Sequence, residues 1–451
     1  MALFGTDGIR GLANRDLTAE LALDVAVAAA HILIESLGST DERSTATRPR
    51  AIVGQDSRAS GEFLEAAIVA GLSSAGVDVY RVGVLPTPAI AYLVGESGAD
   101  LGVVISASHN PMPDNGIKLF SRGGGKLDDA LETAIEVRMR EPWERPTGSN
   151  VGRAIDDPSA AERYLSHLLA SVTTPLAGLK VVVDCANGAA SFVAPEAYRR
   201  AGAEVIAISN EPNGWNINDG CGSTHMSNLQ AKVLETQADI GIALDGDADR
   251  CLVVDEDGNI IDGDQILTIL ALGMKSRGQL KSNTVVSTVM SNLGFRTIMK
   301  SAGIDVVTTQ VGDRYVIEKM IESDFSLGGE QSGHVIMRDY SNTGDGILTS
   351  LALLQEVVRS KKSIQSLADA MRKFPQVMIN VSGVAKERLE SSTVISAAIR
   401  SAEEELGDEG RVLVRASGTE PMVRVMVEAA SDDLASRIAA GLADVVQQEL
   451  G

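Results

Sequence analysis

Three cysteines in 451 residues, Cys185, Cys221 and Cys251, have no short metal-binding spacing. Their odd number points to reduced thiols of the cytoplasmic kind. No long basic tract occurs, and 61 acidic against 40 basic residues give a formal charge of -21. That balance argues against nucleic acid or an anionic membrane surface as a partner. No apolar run is long enough to span a bilayer. The most apolar early stretch, residues 21–34, carries Asp24 and His31 and reads as a buried helix. Residues 1–6 lead straight into a Gly-rich polar loop, so no signal peptide is expected. P-loop and dinucleotide fingerprints are also missing.

What is present is an apolar content of 44% and a length of 451 residues. A single core stops growing near roughly 300 residues, so three or four domains are expected. Short apolar runs alternate with helical stretches, and polar loops close the runs, which reads as α/β layers with loops at strand ends. The punctuation divides the chain into 1–150, 151–255, 256–372 and 373–451. The last piece, with fewer strands and two long helices, reads as a small α+β domain.

Residues 101–105 are an unbroken apolar run suited to a buried strand. Ser106, Ala107, Ser108, His109, Asn110 and Pro111 follow, and Pro111 and Pro113 keep this stretch irregular. Ser108 is the candidate nucleophile; an ordinary polar loop is the plainer alternative. Asn115-Gly116 is expected to turn tightly and send Lys118 back toward the loop. Near the start, Gly5, Gly8 and Gly11 surround Arg10, whose fork suits a phosphate or simply solvent.

Asp245, Asp247 and Asp249 alternate on a Gly-containing loop after a strand. Such spacing aims three carboxylates at one hard cation, and Mg²⁺ takes oxygen ligands of this type. A calcium loop is the rival, but it needs a ligand at its twelfth position and a flanking helix pair. A solvated acidic turn is the plain reading. Ser417, Gly418 and Thr419, between Arg415 and Arg424, make a plausible phosphate cradle. Glu330, Gln331, Ser332 and His334 lie on a loop able to bond sugar hydroxyls.

Together these stretches resemble the α-D-phosphohexomutase superfamily over nearly the whole chain. SASHNP with NGIK at 106–118, DGDADR at 245–250, GEQSGH at 329–334 and RASGTEP at 415–421 occur in the family's order, after FGTDGIRG at 4–11. Ser106 stands where relatives more often have Thr, which keeps the hydroxyl. Gln331 stands where relatives acting on mannose or glucose phosphates usually carry Met, which favours the glucosamine branch.

The resemblance implies four domains around a central cleft, the first three related α/β domains and the last a smaller α+β domain. It implies reversible interconversion of glucosamine 6-phosphate and glucosamine 1-phosphate through phosphorylated Ser108 and a glucosamine 1,6-bisphosphate intermediate. Asp245, Asp247, Asp249 and the phosphorylated Ser108 would bind Mg²⁺. Arg10, Arg250, Lys118 and His334 would serve the transfer, the last two as proton carriers. Glu330 and Ser332 would meet the ring, beside Gln331. Arg415, Ser417, Gly418, Thr419 and Arg424 would hold the idle phosphate. A priming kinase and a homodimer are compatible with it. The rivals are a phosphomannomutase or phosphoglucomutase and an inactive sugar-phosphate-binding relative.

Overall fold

The computed structural model describes residues 3–5, 7–36, 48–417 and 421–451. They form two compact units. The larger comprises Met1–Val289 with Asp305–Ala368, the smaller Met290–Ile304 with Asp369–Gly451. Residues 37–47 lie outside the described residues, as do Gly418 and Thr419 of the expected phosphate cradle.

The larger unit carries three sheets. The first runs in spatial order Ile9–Leu12, Asp114–Ser121, Leu101–Ile105, Arg50–Gln55, Asp78–Val84 and Ala154–Asp156. Leu101–Ile105 is buried throughout, as its apolar run requires of a strand covered on both faces. It pairs in parallel with Arg50–Gln55 and antiparallel with Asp114–Ser121. The helices Ala19–Ser36 and Ser60–Ser74 share its core through Val25, Ala29, Leu64, Ile68 and Leu72. Each such valine, leucine or isoleucine contributes roughly 1.5–3 kcal/mol when buried.

Asn115-Gly116 is not a turn. Both residues lie inside the strand Asp114–Ser121, which pairs with strands on each side. Turn propensity is local and yields here to two ladders of hydrogen bonds. The glycine serves close approach: a Cβ at Gly116 would stand 2.4 Å from the Ser106 carbonyl oxygen. Lys118 therefore reaches its neighbours from a strand, opposite Val104.

The second sheet is ordered Ile260–Ile261, Cys251–Val254, Ile240–Leu244, Lys180–Asp184 and Glu204–Ile208. The third is ordered Asp305–Thr309, Thr284–Thr288, Leu327–Gly329 and Val335–Met337. Both mix parallel and antiparallel pairs. All three cysteines are free and buried. Among the described residues no helix is long and apolar enough to cross a membrane.

The smaller unit holds an antiparallel sheet with Met422–Glu428 between Gln376–Ser382 and Arg411–Ala416. The helices Thr393–Leu406 and Asp432–Leu450 share its apolar core. Arg415, expected in the following loop, falls within a strand. The helix Leu293–Ser301 is part of this compact unit. Asn292 bonds the Phe374 backbone in both directions, and the Leu293 N–H donates to Glu428 Oε2 at 2.8 Å.

Candidate active site

Leu101–Ile105 delivers the chain into the irregular loop 106–113, where Ser108 has φ +51°. That left-handed backbone costs a non-glycine residue about 1 kcal/mol or more, so neighbours must hold it. The Ser108 N–H donates to Ser106 Oγ at 3.0 Å, and Ser106 Oγ donates to Asp56 Oδ2 at 2.6 Å. From the second sheet's side, Asn218 Nδ2 donates to the carbonyls of Ser108 and Asn110 at 2.8 and 3.0 Å. Ser108 Oγ is 2.6 Å from Asp245 Oδ2 and 3.2 Å from His109 Nδ1. Burial, with Arg250 and Arg10 nearby, lowers the His109 pKa to about 4, so this ring is neutral near pH 7.

The buried strand Ile240–Leu244 ends at Asp245, and Cys251–Val254 returns antiparallel beside it. The hairpin loop brings Asp245, Asp247 and Asp249 together with one oxygen of each within 4.8 Å of the others. Gly246 permits the meeting with the serine loop, because a Cβ there would stand 2.6 Å from the Ser108 carbonyl oxygen. Thr87 Oγ1 donates to Asp247 Oδ2 at 2.6 Å.

Burial and repulsion from Asp249 and Asp247 hold the Asp245 carboxyl well above its usual range. Asp249 is held well below it: burial opposes the charge, but Lys118, His334 and Arg250 outweigh that. Asp247 Oδ1 and Asp249 Oδ1 are buried without a hydrogen bond. Three buried carboxylates, with an oxygen of each within 4.8 Å of the others, fit a hard divalent cation.

Lys118 Nζ sits among the carboxylates, 2.9 Å from Asp7, 2.8 Å from Asp247 and 3.5 Å from Asp249. Desolvation works against its charge, yet Asp247 and Asp7 raise its pKa well above the ordinary lysine value. Arg10 donates to Asp7 Oδ2 at 2.5 Å and to Asn110 Oδ1 at 3.3 Å. The Arg250 N–H donates to Asp245 Oδ1 at 3.2 Å, and its Nε stands 3.8 Å from Asp249 Oδ1.

His334 is buried, with Nδ1 3.7 Å from Asp249 Oδ1 and Nε2 3.3 Å from Asp313 Oδ2. The Gly344 N–H donates to Nε2 at 3.1 Å. Burial disfavours the imidazolium, but Asp313 and Asp249 raise the pKa overall. Lys126 links Asp313, at the start of the helix Asp313–Glu322, to Asp7, so segments flanking the first and third sheets share one ionic chain. Glu330 Oε1 accepts from the Gly312 N–H at 3.0 Å, while Gln331 and Ser332 follow on the same loop.

In the smaller unit, Arg415 and Arg424 lie directly opposite on paired strands. Burial and the Arg424 charge lower the Arg415 pKa. The Ser417 N–H donates to the Met422 carbonyl at 2.9 Å, and Lys386 Nζ donates to the Ser417 carbonyl at 2.6 Å.

The structure thus brings Ser108, Lys118, Arg10, Arg250, His334 and the three aspartates into one network. Sequence reasoning passed over Asp7, Asp56, Arg58, Lys126, Asn218, Asp313 and Lys386. Asp56 and Arg58 did carry a signal, as polar residues directly after a strand of the first sheet. Asp7 lies within the FGTDGIRG stretch at 4–11; the remaining residues offered no signal beyond ordinary surface polarity.

Four domain families match the chain. They are phosphoglucomutase/phosphomannomutase alpha/beta/alpha domain I at residues 1–145, domain II at 162–258, domain III at 262–374, and the C-terminal domain at 378–445. A phosphoglucosamine mutase of Thermobifida fusca is 59% identical over 448 residues, spanning 99% of this chain and 98% of the relative. One from Cutibacterium acnes is 57% identical over 99% of both chains. The chain belongs to the phosphoglucosamine mutases. It is thereby an isomerase of the phosphohexomutase superfamily, with three α/β/α domains and a smaller C-terminal one. Among solved structures, a phosphoglucomutase/phosphomannomutase family protein from Burkholderia thailandensis superposes on this phosphoglucosamine mutase with TM-score 0.82. The two are 26% identical, over 99% of this chain and 97% of the other. Aspergillus fumigatus N-acetylphosphoglucosamine mutase, solved with GlcNAc-6P and magnesium, shares the fold at TM-score 0.69 and 20% identity, over 99% of this chain and 95% of that one.

Proposed function

We propose that this chain interconverts glucosamine 6-phosphate and glucosamine 1-phosphate, with Ser108 as the phosphoryl carrier. The observation carrying the reading is Ser108 Oγ at 2.6 Å from Asp245, beside two further buried carboxylates. Phosphorylated Ser108 gives its phosphoryl group to O6 of glucosamine 1-phosphate, or to O1 of glucosamine 6-phosphate. A bond from phosphorus to the sugar oxygen forms as the bond to Ser108 Oγ breaks. The sugar hydroxyl loses a proton, and Oγ leaves as an oxyanion that takes one up. The product is glucosamine 1,6-bisphosphate, which returns its other phosphoryl group to Ser108 after reorienting.

Asp245, Asp247 and Asp249, with a phosphoserine oxygen, would hold Mg²⁺, which when bound draws charge from the transferring group. Arg250 and Arg10 hold phosphoryl oxygens as charge builds. Lys118, kept protonated among Asp247, Asp7 and Asp249, supplies a fixed positive charge. His334 is the ring assigned to move a proton, with Asp313 and Asp249 flanking it. Glu330 and Ser332 read the ring beside Gln331, and Glu330 favours a protonated 2-amino group by charge. Arg415, Ser417 and Arg424, with Gly418 and Thr419, hold the phosphate not being transferred. Discrimination by a polar group specific to the amino sugar exceeds what an apolar pocket gives. The setting is cytoplasmic, supplying glucosamine 1-phosphate for UDP-N-acetylglucosamine and the cell wall.

The test is kcat/KM for glucosamine, glucose and mannose phosphates, measured side by side with bisphosphate activator. Glucosamine phosphate is expected to lead. A preference for mannose or glucose phosphate would assign the chain to phosphomannomutase or phosphoglucomutase chemistry, and no turnover of any would leave a binding protein.

A further inference from the structure

Arg58 is among the largest fully buried side chains, and every N–H of its guanidinium is used. Nε donates to Asp56 Oδ2 at 3.0 Å. One terminal nitrogen donates to the carbonyls of Pro111 and Asp114 at 2.6 and 3.0 Å, and the other to those of Ser108 and Asn110 at 3.1 and 2.8 Å. Three carbonyls of the serine loop and that of Asp114, the first residue of the next strand, thus converge on a single planar fork. A lysine cannot copy this, because its ammonium offers three donors from one point. The same Asp56 Oδ2 accepts from Ser106 Oγ, which in turn takes the Ser108 N–H. Ser108 is therefore fixed at both its N–H and its C=O, around a left-handed φ of +51°.

We propose that Arg58 is a positioning residue for phosphoryl transfer. Through the loop carbonyls, and through Asp56 and Ser106, it holds Ser108 Oγ in line with the reacting phosphorus. The inference rests on the reading of Ser108 as the phosphoryl carrier. All five guanidinium bonds of Arg58 go to Asp56 and to the backbone around Ser108, none to the aspartate cluster, so its effect belongs to the transfer step and not to sugar binding.

The test starts from dephosphorylated enzyme mixed with glucosamine 1,6-bisphosphate and Mg²⁺ in a single turnover. Ser108 Oγ bonds to phosphorus, the bond from phosphorus to the sugar oxygen breaks, and the Oγ proton ends on that oxygen. Phosphate on Ser108 is followed by mass spectrometry. In Arg58→Lys the rate constant should fall about 100-fold, the scale of a misplacement near 1 Å. KM for the sugar phosphate should stay within about threefold. A merely structural role would lower the amplitude, through a smaller folded fraction, and leave the rate constant alone. A rate constant equal to wild type overturns the proposal.

Should Arg58→Lys not fold, Ser106→Ala removes the link to the Ser108 N–H and keeps all five guanidinium bonds. Its rate constant should fall about tenfold, and an unchanged value overturns the proposal equally. Ser108→Ala separates the two readings. If it still accepts phosphate, the phosphoserine assignment fails. If it does not, and Arg58→Lys and Ser106→Ala both load Ser108 at the wild-type rate, only the positioning role fails.

Discussion

Lys118 Nζ stands 2.8 Å from Asp247 Oδ2, and both side chains are buried. With Asp7 and Asp249 also in reach, the ammonium keeps its proton beyond the ordinary lysine range, so no titration of it is expected between about pH 6 and 9. Lys118→Met should lower kcat about 100-fold, by the same factor across that interval. Steady-state rates at a series of pH values check this. A deficit that vanishes toward one end of the series would instead make Lys118 a proton carrier.

Removing divalent metal should abolish turnover, and Mg²⁺ should restore it. The stronger test is thermal. A cation bound only by the folded state stabilises it by about 2.7 kcal/mol at a concentration 100 times Kd. Mg²⁺ should therefore raise the Tm of the wild-type protein and leave that of Asp247→Ala unmoved, since that variant loses one of the three converging carboxylates.

Arg415 and Arg424 face each other across paired strands, placing two positive charges where an anion can meet both. Arg424→Ala should raise KM about tenfold with a smaller change in kcat. Steady-state kinetics of the variant beside wild type check this.

Asp345 caps the helix Gly346–Ser360, accepting from the Ile347 and Leu348 N–H groups and from the Tyr164 hydroxyl. Burial outweighs these bonds and raises its carboxyl from 3.8 to about 6. The folded state thus binds more protons than the unfolded state between those values. Stability falls as pH rises through that window, and is lower by about 3 kcal/mol above it. Asp345→Asn keeps a capping acceptor but cannot ionise. Its Tm relative to wild type should increase from pH 4 to pH 7, and a constant difference would contradict the assignment.

Much of the fold was legible because its signals are local. Leu101–Ile105 declares itself by five apolar residues, and the aspartate loop by its spacing. Asn115-Gly116 misled because a turn dipeptide was placed in a strand by pairing with Ile9–Leu12 and Leu101–Ile105. The supporting charges were illegible for a different reason. Arg58 precedes Ser108 by 50 residues, and Lys126 precedes Asp313 by 187. Neither separation leaves any periodicity to read. Asn218 reaches the serine loop from 110 residues away for the same reason.

The smaller unit is not one continuous stretch of chain. Its helix Leu293–Ser301 leaves the third sheet between Thr284–Thr288 and Asp305–Thr309, and it is secured by Phe374 and Glu428. During synthesis from the N-terminus this helix emerges well over a hundred residues before Glu428. Until the last strand leaves the ribosome the Leu293 N–H lacks its native acceptor in Glu428. A nascent chain stalled short of Met422 should therefore exchange the Leu293 amide hydrogen quickly, and release from the ribosome should slow that exchange.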